Sequence, residues 1–349
     1  DFLGGPPQRV MQRRTISVGG KARPFFVYLP DAYGQRPLPV VLALHGYGST
    51  ATGFASAHAL NQHANANDYI IAYPQGAGFY TEPAWQKEEA LISSWNDLAS
   101  NYPVASVSHC LSDRLAYPCY PDCGECKACD WTSCEDDVGF LMGIVDNLQL
   151  TLMTDLDRLY LLGNSNGGSM VQRLGCDYPD RFAAVAIMIY QMPPGHACGP
   201  RKALPMLHYY GDLDTGVPSD GEPSPYGWMY TSAADNTRIW AEAMGCHSPA
   251  VTWYTPLTKA HNLRCEAHTQ CRKEGAEVVS CGDPAAGHEW QAQRNLAIPV
   301  DCVAPAQQQD FPRQLPCPQV SSSNPHWGME MVWEFFSRYS RRVPIDIRT

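Results

Sequence analysis

The residue best suited to covalent chemistry is Ser165, the centre of a Gly-Asn-Ser-Asn-Gly segment. Serine in the pattern Gly-x-Ser-x-Gly is typical of a nucleophile held on a sharp turn from a strand into a helix. An apolar run at 158–162 precedes the segment and a helical pattern at 166–176 follows it, which is the context that this motif requires. The glycines matter because side chains would collide in so tight a turn. The sequence therefore predicts a serine nucleophile for acyl transfer.

A serine hydroxyl needs a general base, and the base needs an acid to orient it. The expected order along the chain is serine, then Asp or Glu, then His. Asp212 and Asp214 both follow a predicted strand at 205–210, and we favour Asp214 as the acid. His288 and His326 are both candidates for the base, because each lies between the last predicted strand and the final helix. The residues alone do not separate the two histidines.

The tetrahedral intermediate of acyl transfer also needs N–H donors for its negative oxygen. The residue after the nucleophile, Asn166, is expected to supply one backbone N–H. Tyr47 is expected to supply the second, since it follows His45 and Gly46 at the end of an early apolar run, where His45 can brace the loop. One such donor stabilises the transition state by about 3 kcal/mol.

Apolar strands alternate with helical patterns along most of the chain, and these elements position the candidate residues. This alternation indicates an α/β fold with a mostly parallel sheet covered on both faces. In such sheets ligands bind beyond the carboxyl ends of the strands, which is where the candidate residues lie. We expect one catalytic domain over residues 1–349. The predicted strands are 14–18, 25–29, 38–45, 69–73, 158–162, 183–190, 205–210 and 276–281, and the predicted helices are 137–153, 166–176 and 328–339.

Composition narrows the class of protein. The formal net charge is −10 and no basic cluster is present, which argues against a nucleic-acid or anionic-membrane partner. No apolar run approaches the roughly 18–20 residues that span a bilayer. The chain contains 14 cysteines and begins at Asp1 without methionine, as a mature secreted protein would. We therefore expect a secreted protein, extracellular or periplasmic.

Three segments interrupt the strand–helix alternation: a Cys-rich insertion at 101–135, a loop rich in Gly, Pro and aromatic residues at 218–230, and an extended loop insertion at 291–323. Loops of this length are usually functional or braced by cross-links. The first contains Cys123-x-x-Cys126-x-x-Cys129 followed by Cys134, a spacing that also suits zinc or an iron–sulfur cluster. An even number of widely scattered cysteines favours disulfides instead. We predict disulfides, no metal and no cofactor, and expect this insertion to border the active-site mouth.

These motifs together resemble the bacterial extracellular esterases grouped as polyhydroxybutyrate depolymerases and feruloyl esterases, which are relatives of the type-1 carbohydrate esterases. The resemblance implies the α/β-hydrolase fold. It also separates the two histidines, because the family's Gly-Ala-Glu-Val strand and Gly-His-x-Trp match 275–278 and 287–290, which implies His288 as the base. The matching segments are 26–30, 42–48, 73–76, 94–96, 136–140, 163–168, 179–185, 214–218, 245–246, 287–290 and 331–336.

The chain departs from the family in three places. Gln291 and the late insertion replace the Pro-Gly that often follows the Gly-His-x-Trp segment. Asp97 leads into the Cys-rich insertion where the family often has a Cys-containing segment, and Asn164 stands where a hydrophobic residue is usual. These departures leave the chemistry intact and leave the substrate open.

Aromatic residues on the loops after the strands predict an apolar or aromatic acyl cleft, with Trp95, Tyr190, Trp228 and Trp290 as substrate-binding residues. The function predicted is that of a secreted serine carboxylic-ester hydrolase that forms an acyl-enzyme on feruloyl-type or similar aromatic or apolar esters. The alternatives are an extracellular polyester depolymerase and a non-catalytic binding protein that keeps the hydrolase fold. The expected partner is a small-molecule or polymeric ester, with no nucleic acid, and we expect a monomer.

Overall fold

This computed structural model describes residues 10–84, 86–97, 110–111, 117–126, 129–195, 204–247, 249–290, 298–318 and 327–341. Its strands are β1 Gln12–Val18, β2 Lys21–Tyr28, β3 Leu38–Leu44, β4 Ile70–Pro74, β5 Ala77–Thr81, β6 Ala90–Ser94, β7 Thr154–Asn164, β8 Ala184–Met188, β9 Met206–Gly211, β10 Val251–Thr252, β11 Arg264–His268 and β12 Val278–Asp283. Its helices are α1 Ala51–Ala57, α2 Leu60–Ala66, α3 Asp137–Thr151, α4 Asn166–Asp177, α5 Ala233–Met244, α6 Pro256–Ala260 and α7 Trp327–Phe336.

Ten strands form one sheet in the order β1-β2-β4-β3-β7-β8-β9-β12-β11-β10, and β5 pairs with β6 apart from it. The six central strands, from β4 to β12, run parallel to one another. Antiparallel strands close both edges, with β1 and β2 on one side and β11 and β10 on the other. All six central strands therefore bring their carboxyl ends to the same edge of the sheet.

The sheet is covered on both faces because its central strands carry buried apolar side chains on both. Along β3, Val40 and Leu42 pack into a core with helices α3, α4 and α5, whereas Val41 and Ala43 pack into a second core with α1, α2 and α7. This division follows from the two-residue period of a strand, which sends successive side chains to opposite faces. The predicted α/β fold with a mostly parallel, doubly covered sheet is confirmed.

The elements outside the central parallel strands differ most from the sequence prediction, which lacked helices α1, α2, α5 and α6. The pairs β5–β6 and β10–β11 were not predicted. In β11 only Cys265 and Ala267 face inward, so its apolar signal is weak. The strand predicted at 276–281 lies at 278–283, two residues later along the chain.

Disulfides cross-link both insertions and the sheet edge. Within the Cys-rich insertion the pairs are Cys110–Cys129, Cys119–Cys126 and Cys123–Cys134. The other described pairs are Cys246–Cys271, Cys265–Cys281 and Cys302–Cys317, and Cys176 is also disulfide-bonded. None of the described cysteines is free, which agrees with the disulfide prediction. A search of the same residues finds no helix long and apolar enough to cross a membrane.

Candidate active site

Ser165 lies on the turn between β7 and α4, with backbone angles of φ 54° and ψ −122°. A positive φ is uncommon for a residue other than glycine and persists only where the surrounding structure imposes it. The backbone around this turn is too close to leave space for further side chains. A Cβ added to Gly163 would lie 2.2 Å from the carbonyl oxygen of Gly167. A Cβ added to Gly167 would lie 2.4 Å from the carbonyl oxygen of Leu44. The two flanking glycines are therefore required by the close approach of the backbone around Ser165.

Ser165, His288 and Asp214 form a continuous run of hydrogen bonds. Ser165 Oγ lies 2.8 Å from His288 Nε2, and His288 Nδ1 lies 2.7 Å from Asp214 Oδ2. The second carboxylate oxygen of Asp214 accepts hydrogen bonds from the N–H groups of Gly216 and Val217, at 2.8 and 2.9 Å. Because a carboxylate only accepts hydrogen bonds, the proton of a neutral His288 lies on Nδ1, and Nε2 presents a lone pair to the serine hydroxyl.

Backbone contacts tie together the loops that follow β9 and β12, which carry the candidate acid and base. Leu213 N donates to the carbonyl oxygen of Ala286, and Asp212 N donates to that of Asp283, each at 2.9 Å. Gly211 permits this approach, since a Cβ there would lie 2.3 Å from the Ala286 oxygen. The relative position of the two loops is thus fixed by main-chain geometry.

The sequence left two choices open, Asp212 or Asp214 as the acid and His288 or His326 as the base. The Asp212 carboxylate forms an ion pair with the exposed Arg264, whereas Asp214 is the carboxylate against His288. His326 lies outside the described residues.

The two predicted oxyanion donors lie beside Ser165. A Cβ on Gly46 would lie 3.4 Å from Ser165 Cβ, so the peptide that joins Gly46 to Tyr47 passes next to the serine. Asn166 begins α4, and the first N–H groups of a helix have no acceptor within it. The partial positive charge at that helix end also favours an anion.

His45 holds the loop before Tyr47 and is neutral. Gly76 N donates to His45 Nε2 at 3.0 Å, so the ring proton lies on Nδ1, which is 2.8 Å from the carbonyl oxygen of Gly46. Burial lowers the pKa of His45 to about 4. The indole N–H of Trp95 donates to the His45 carbonyl oxygen at 2.8 Å and fixes the preceding peptide.

The side chain of Asn166 is held from two sides. Its Nδ2 donates to Asp97 Oδ2 at 2.6 Å. Its Oδ1 accepts from Ser94 Oγ at 3.1 Å and from Trp95 N at 3.2 Å. Asp97 is fully buried, and sequence reasoning noted it only as a departure from the family pattern.

The prediction of substrate-binding aromatics needs correction. The residues concerned are Trp95, Tyr190, Trp228 and Trp290, and each is 0 or 1% exposed. Such rings offer no surface to a ligand, because other residues of the described chain already surround them. Their position after strands predicted that they lie near the carboxyl ends of the sheet. It could not predict whether a ring lines an open cleft or is buried in the core.

Each of these rings has a packing partner that accounts for its burial. Trp228 packs on Trp131, with ring centroids 4.2 Å apart, and Trp290 packs on His58 at 5.1 Å. Tyr190 meets Tyr230 edge-on at 5.7 Å. These aromatics support the walls of the site from behind.

Two aromatic residues of the Cys-rich insertion lie against Tyr47 and were missed. The ring of Tyr117 meets that of Tyr47 edge-on at 5.5 Å, and Trp131 lies 5.9 Å from it. Tyr117 and Tyr47 are both partly exposed. Trp131 could have been recognised from the sequence, because a large apolar residue between two cysteines of a polar insertion indicates a buried contact.

The sulfur atoms of Cys123, Cys126 and Cys129 are all in disulfides, so these three cysteines do not offer thiolates to a metal ion. In the part of the chain that the structure describes, no group of three or more His, Cys, Asp or Glu side chains is arranged to hold a metal ion.

Comparison with known proteins identifies relatives among esterases. The chain is 28% identical over 270 residues to NocK of Nocardia uniformis subsp. tsuyamanensis, which is named as an esterase; the match covers 76% of this chain and 63% of NocK. It is 28% identical over 181 residues to feruloyl esterase B of Piromyces equi, over 47% of this chain and 32% of that protein. The chain thus spans less than two thirds of the curated relatives it matches. No protein-family model matches it.

Among solved structures, acetyl xylan esterase from Aspergillus awamori superposes with a TM-score of 0.51 at 15% identity, over 80% of this chain and 94% of that one. At this identity the likeness concerns the fold alone. The chain is therefore similar in sequence to proteins named as esterases, and its fold is the α/β-hydrolase fold.

Proposed function

We propose that the protein is a serine carboxylic-ester hydrolase with Ser165 as nucleophile, His288 as base and Asp214 as the acid that orients it. The observation that carries the proposal is the hydrogen-bonded run from Ser165 Oγ through His288 to Asp214, with distances of 2.8 and 2.7 Å. The strained turn at Ser165 supports it, since such strain is typical of a nucleophile presented above a sheet.

Acylation follows from which groups can accept and donate. Ser165 Oγ attacks the ester carbonyl carbon while its proton passes to His288 Nε2. Asp214, whose side chain is 1% exposed, stabilises the imidazolium that forms. When the tetrahedral intermediate collapses, the bond to the alcohol breaks and His288 gives its proton to the departing oxygen, which leaves the acyl group on Ser165.

Deacylation repeats the sequence with water. His288 takes a proton from water as its oxygen attacks the acyl carbon, and the carboxylic acid is released when Ser165 recovers its proton. In both steps the N–H groups of Tyr47 and Asn166 are the proposed donors to the oxyanion. Backbone donors cost no reorganisation during the reaction, which makes this electrostatic contribution large.

The proposed substrates are feruloyl-type or similar aromatic or apolar esters, and the proposed location is outside the cell. The partly exposed rings of Tyr47 and Tyr117 offer an aromatic surface next to one proposed oxyanion donor. A relative named feruloyl esterase B supports the same class. The six described disulfides suit an oxidising compartment.

Polyester depolymerisation is the second candidate, favoured by exposure around the base. The His288 side chain is 37% exposed, and Leu213, next to Asp214, and Tyr226, which interacts with Tyr117, are 63% and 49% exposed. Apolar side chains at the rim of an accessible site suit a long polymer chain as well as a small ester. Methyl ferulate, hydroxybutyrate oligomers and an aromatic polyester, compared at equal enzyme concentration, distinguish the two candidates.

Hydrolysis of p-nitrophenyl esters by Ser165→Ala tests the chemistry. We expect a loss of at least about 10⁴-fold in kcat, because no other group can form the acyl-enzyme. Ser337→Ala, which removes an exposed hydroxyl directly after the end of α7, is the matched control and should keep full activity. Equal rates in wild type and Ser165→Ala would refute the proposal and favour a binding protein with a hydrolase fold.

A further inference from the structure

The late loop, residues 298–318, packs tightly over the segment that begins α1. Ser49 Oγ and Thr50 N donate to the carbonyl oxygen of Val300, at 2.7 and 3.1 Å. A Cβ on Gly53 would lie 2.1 Å from the same oxygen. The late loop is therefore part of the packed structure, although it interrupts the strand–helix pattern.

One side chain of the late loop, Gln307, enters the interior and has no exposed surface. Its Oε1 accepts from Thr52 N at 3.1 Å and from Thr52 Oγ1 at 2.7 Å, and its Nε2 donates to Gln75 Oε1 at 2.6 Å. The orientation of both amides is determined, because Thr52 N and Ala51 N can only donate, and Ala51 N faces Gln75 Oε1 at 2.8 Å.

From Gln75 the contacts continue to the loop that carries Tyr47. Gln75 Nε2 lies 3.2 Å from His45 Nε2, and His45 Nδ1 holds the carbonyl oxygen of Gly46. That oxygen and the N–H of Tyr47 belong to the same planar peptide unit. Any contact that fixes the Gly46 carbonyl therefore fixes the direction in which the Tyr47 N–H points.

The Cys-rich insertion reaches the other donor in a similar way. The indole N–H of Trp131 donates to Asp97 Oδ2 at 2.8 Å, and the same oxygen accepts from Asn166 Nδ2 at 2.6 Å. Trp131 lies between Cys129 and Cys134, which are both disulfide-bonded. The backbone N–H of Asn166 is thus carried by a residue whose side chain is clamped through Asp97.

We propose that the two insertions hold the oxyanion hole in place, with Gln307 and Trp131 as positioning residues for the N–H groups of Tyr47 and Asn166. This inference rests on the proposed esterase function. Each insertion contributes one buried side chain to the hydrogen bonds around one donor, and neither side chain contacts Ser165 or His288 in the described structure. A role in stabilisation alone predicts a lower melting temperature without a change in turnover per active site.

Gln307→Met tests the late loop, because methionine keeps the length of the side chain and removes its hydrogen bonds. Gln309→Met is the matched control, since Gln309 is an exposed glutamine two positions along the same loop. Active sites are counted by burst titration with a p-nitrophenyl ester, so that misfolded molecules do not enter kcat. A trifluoromethyl ketone then reports oxyanion binding directly, because its adduct with Ser165 places a negative oxygen in the hole.

We expect Gln307→Met to lower kcat per titrated site about 10-fold with KM nearly unchanged, less than the 10²–10³-fold that follows complete removal of a donor. The ketone should bind more weakly by a similar factor, and Gln309→Met should match wild type. Turnover and ketone affinity within about 2-fold of wild type would overturn the role of Gln307, whatever the melting temperature. A wild type without ester turnover would instead overturn the proposed function, and this inference with it.

Trp131→Phe tests the second insertion by the same assays and keeps the proposal testable if Gln307→Met does not fold. Its control is Trp240→Phe, because the indole N–H of Trp240 is buried and has no hydrogen-bond partner among the described residues. We expect about a 5-fold loss of kcat per titrated site for Trp131→Phe, since a displaced donor contributes less than an aligned one. Equal effects of the two substitutions would show that loss of an indole, and not its bond to Asp97, is responsible.

Discussion

The two halves of the candidate site are built in different ways. The loops with Asp214 and His288 are joined by main-chain hydrogen bonds between neighbouring parallel strands. Buried side chains hold the residues that carry the proposed oxyanion donors: His45 contacts the Gly46 carbonyl, and the Asn166 side chain donates to Asp97. Main-chain contacts depend on space for the backbone, whereas side-chain contacts depend on the identity of each residue. The first half should therefore be sensitive to added volume and the second to lost hydrogen bonds.

The largest effect is expected from Asp214→Asn, which replaces an acceptor against His288 Nδ1 with an amide. The imidazole then loses the orientation and the charge that support it, and kcat should fall about 10⁴-fold. Steady-state hydrolysis of a p-nitrophenyl ester measures the change. Asp212→Asn is the control two residues away, and because its carboxylate pairs with Arg264 at the surface it should keep nearly full activity. If Asp212→Asn were the damaging variant, the assignment of the acid would be wrong.

A smaller effect is expected from Gly211→Ala, which tests the main-chain half by volume alone. The new methyl group would lie 2.3 Å from the Ala286 carbonyl oxygen, so the His288 loop must move. A displacement on the order of 1 Å at a catalytic group costs about 10²-fold in rate. In Gly287→Ala the nearest atom is 3.8 Å from the new methyl, so this neighbour of the base should retain its activity. Similar kinetics for the two variants would contradict the idea that backbone contact positions the loop.

An effect on rate smaller than that of Gly211→Ala is expected at His45, whose burial also makes the stability of the protein depend on pH. Burial lowers the pKa values of His45 and His208 to about 4, so the folded state binds fewer protons than the unfolded state below pH 6.5. The free energy of unfolding is therefore unaffected by these two rings above pH 6.5. It falls as the pH falls from 6.5 to about 4, by about 3 kcal/mol for each histidine. Chemical denaturation at pH 7 and 4.5 measures this difference in the free energy of unfolding. The difference should be smaller in His45→Gln and in His208→Gln than in the wild type.

Activity at pH 7 then separates the two histidines. His45→Gln should lower kcat about 10-fold because the Gly46 carbonyl loses its donor, which displaces an oxyanion N–H without removing it. His208→Gln should leave kcat unchanged, since His208 lies within β9 and is not part of the oxyanion loop. Loss of activity in both variants would mean that burial of a neutral ring, and not its bond to Gly46, matters.

Sequence reasoning predicted the parts of the molecule that depend on local pattern. Strands such as β3 and β8 are apolar throughout, and Ser165 is surrounded by glycines, so both were recognisable without coordinates. Asp214 was preferred over Asp212, and the structure has Asp214 against His288. The choice between His288 and His326 came from family resemblance, because physical reasoning left both on the same loop.

The rest could not be predicted because it depends on contacts between distant segments. Trp95 and Trp290 were expected to contact substrate, yet they are buried. The local sequence does not reveal which loops fold over a ring. Gln307 belongs to a polar, proline-bearing segment that gives no hint of a buried amide. Its partner Thr52 is 255 residues away, and only the completed fold brings the two together.

That separation has a consequence for how the chain matures. During synthesis His45 and Ser165 emerge from the ribosome long before His288, and residues 298–318 emerge later still. The early segments can pair into the sheet, but contacts of high sequence separation form slowly and only once both ends exist. The Cys302–Cys317 cross-link then closes the last loop over α1. The candidate active site is therefore among the last parts of the described chain to be assembled, and a nascent chain carries Ser165 before the proposed base has been made.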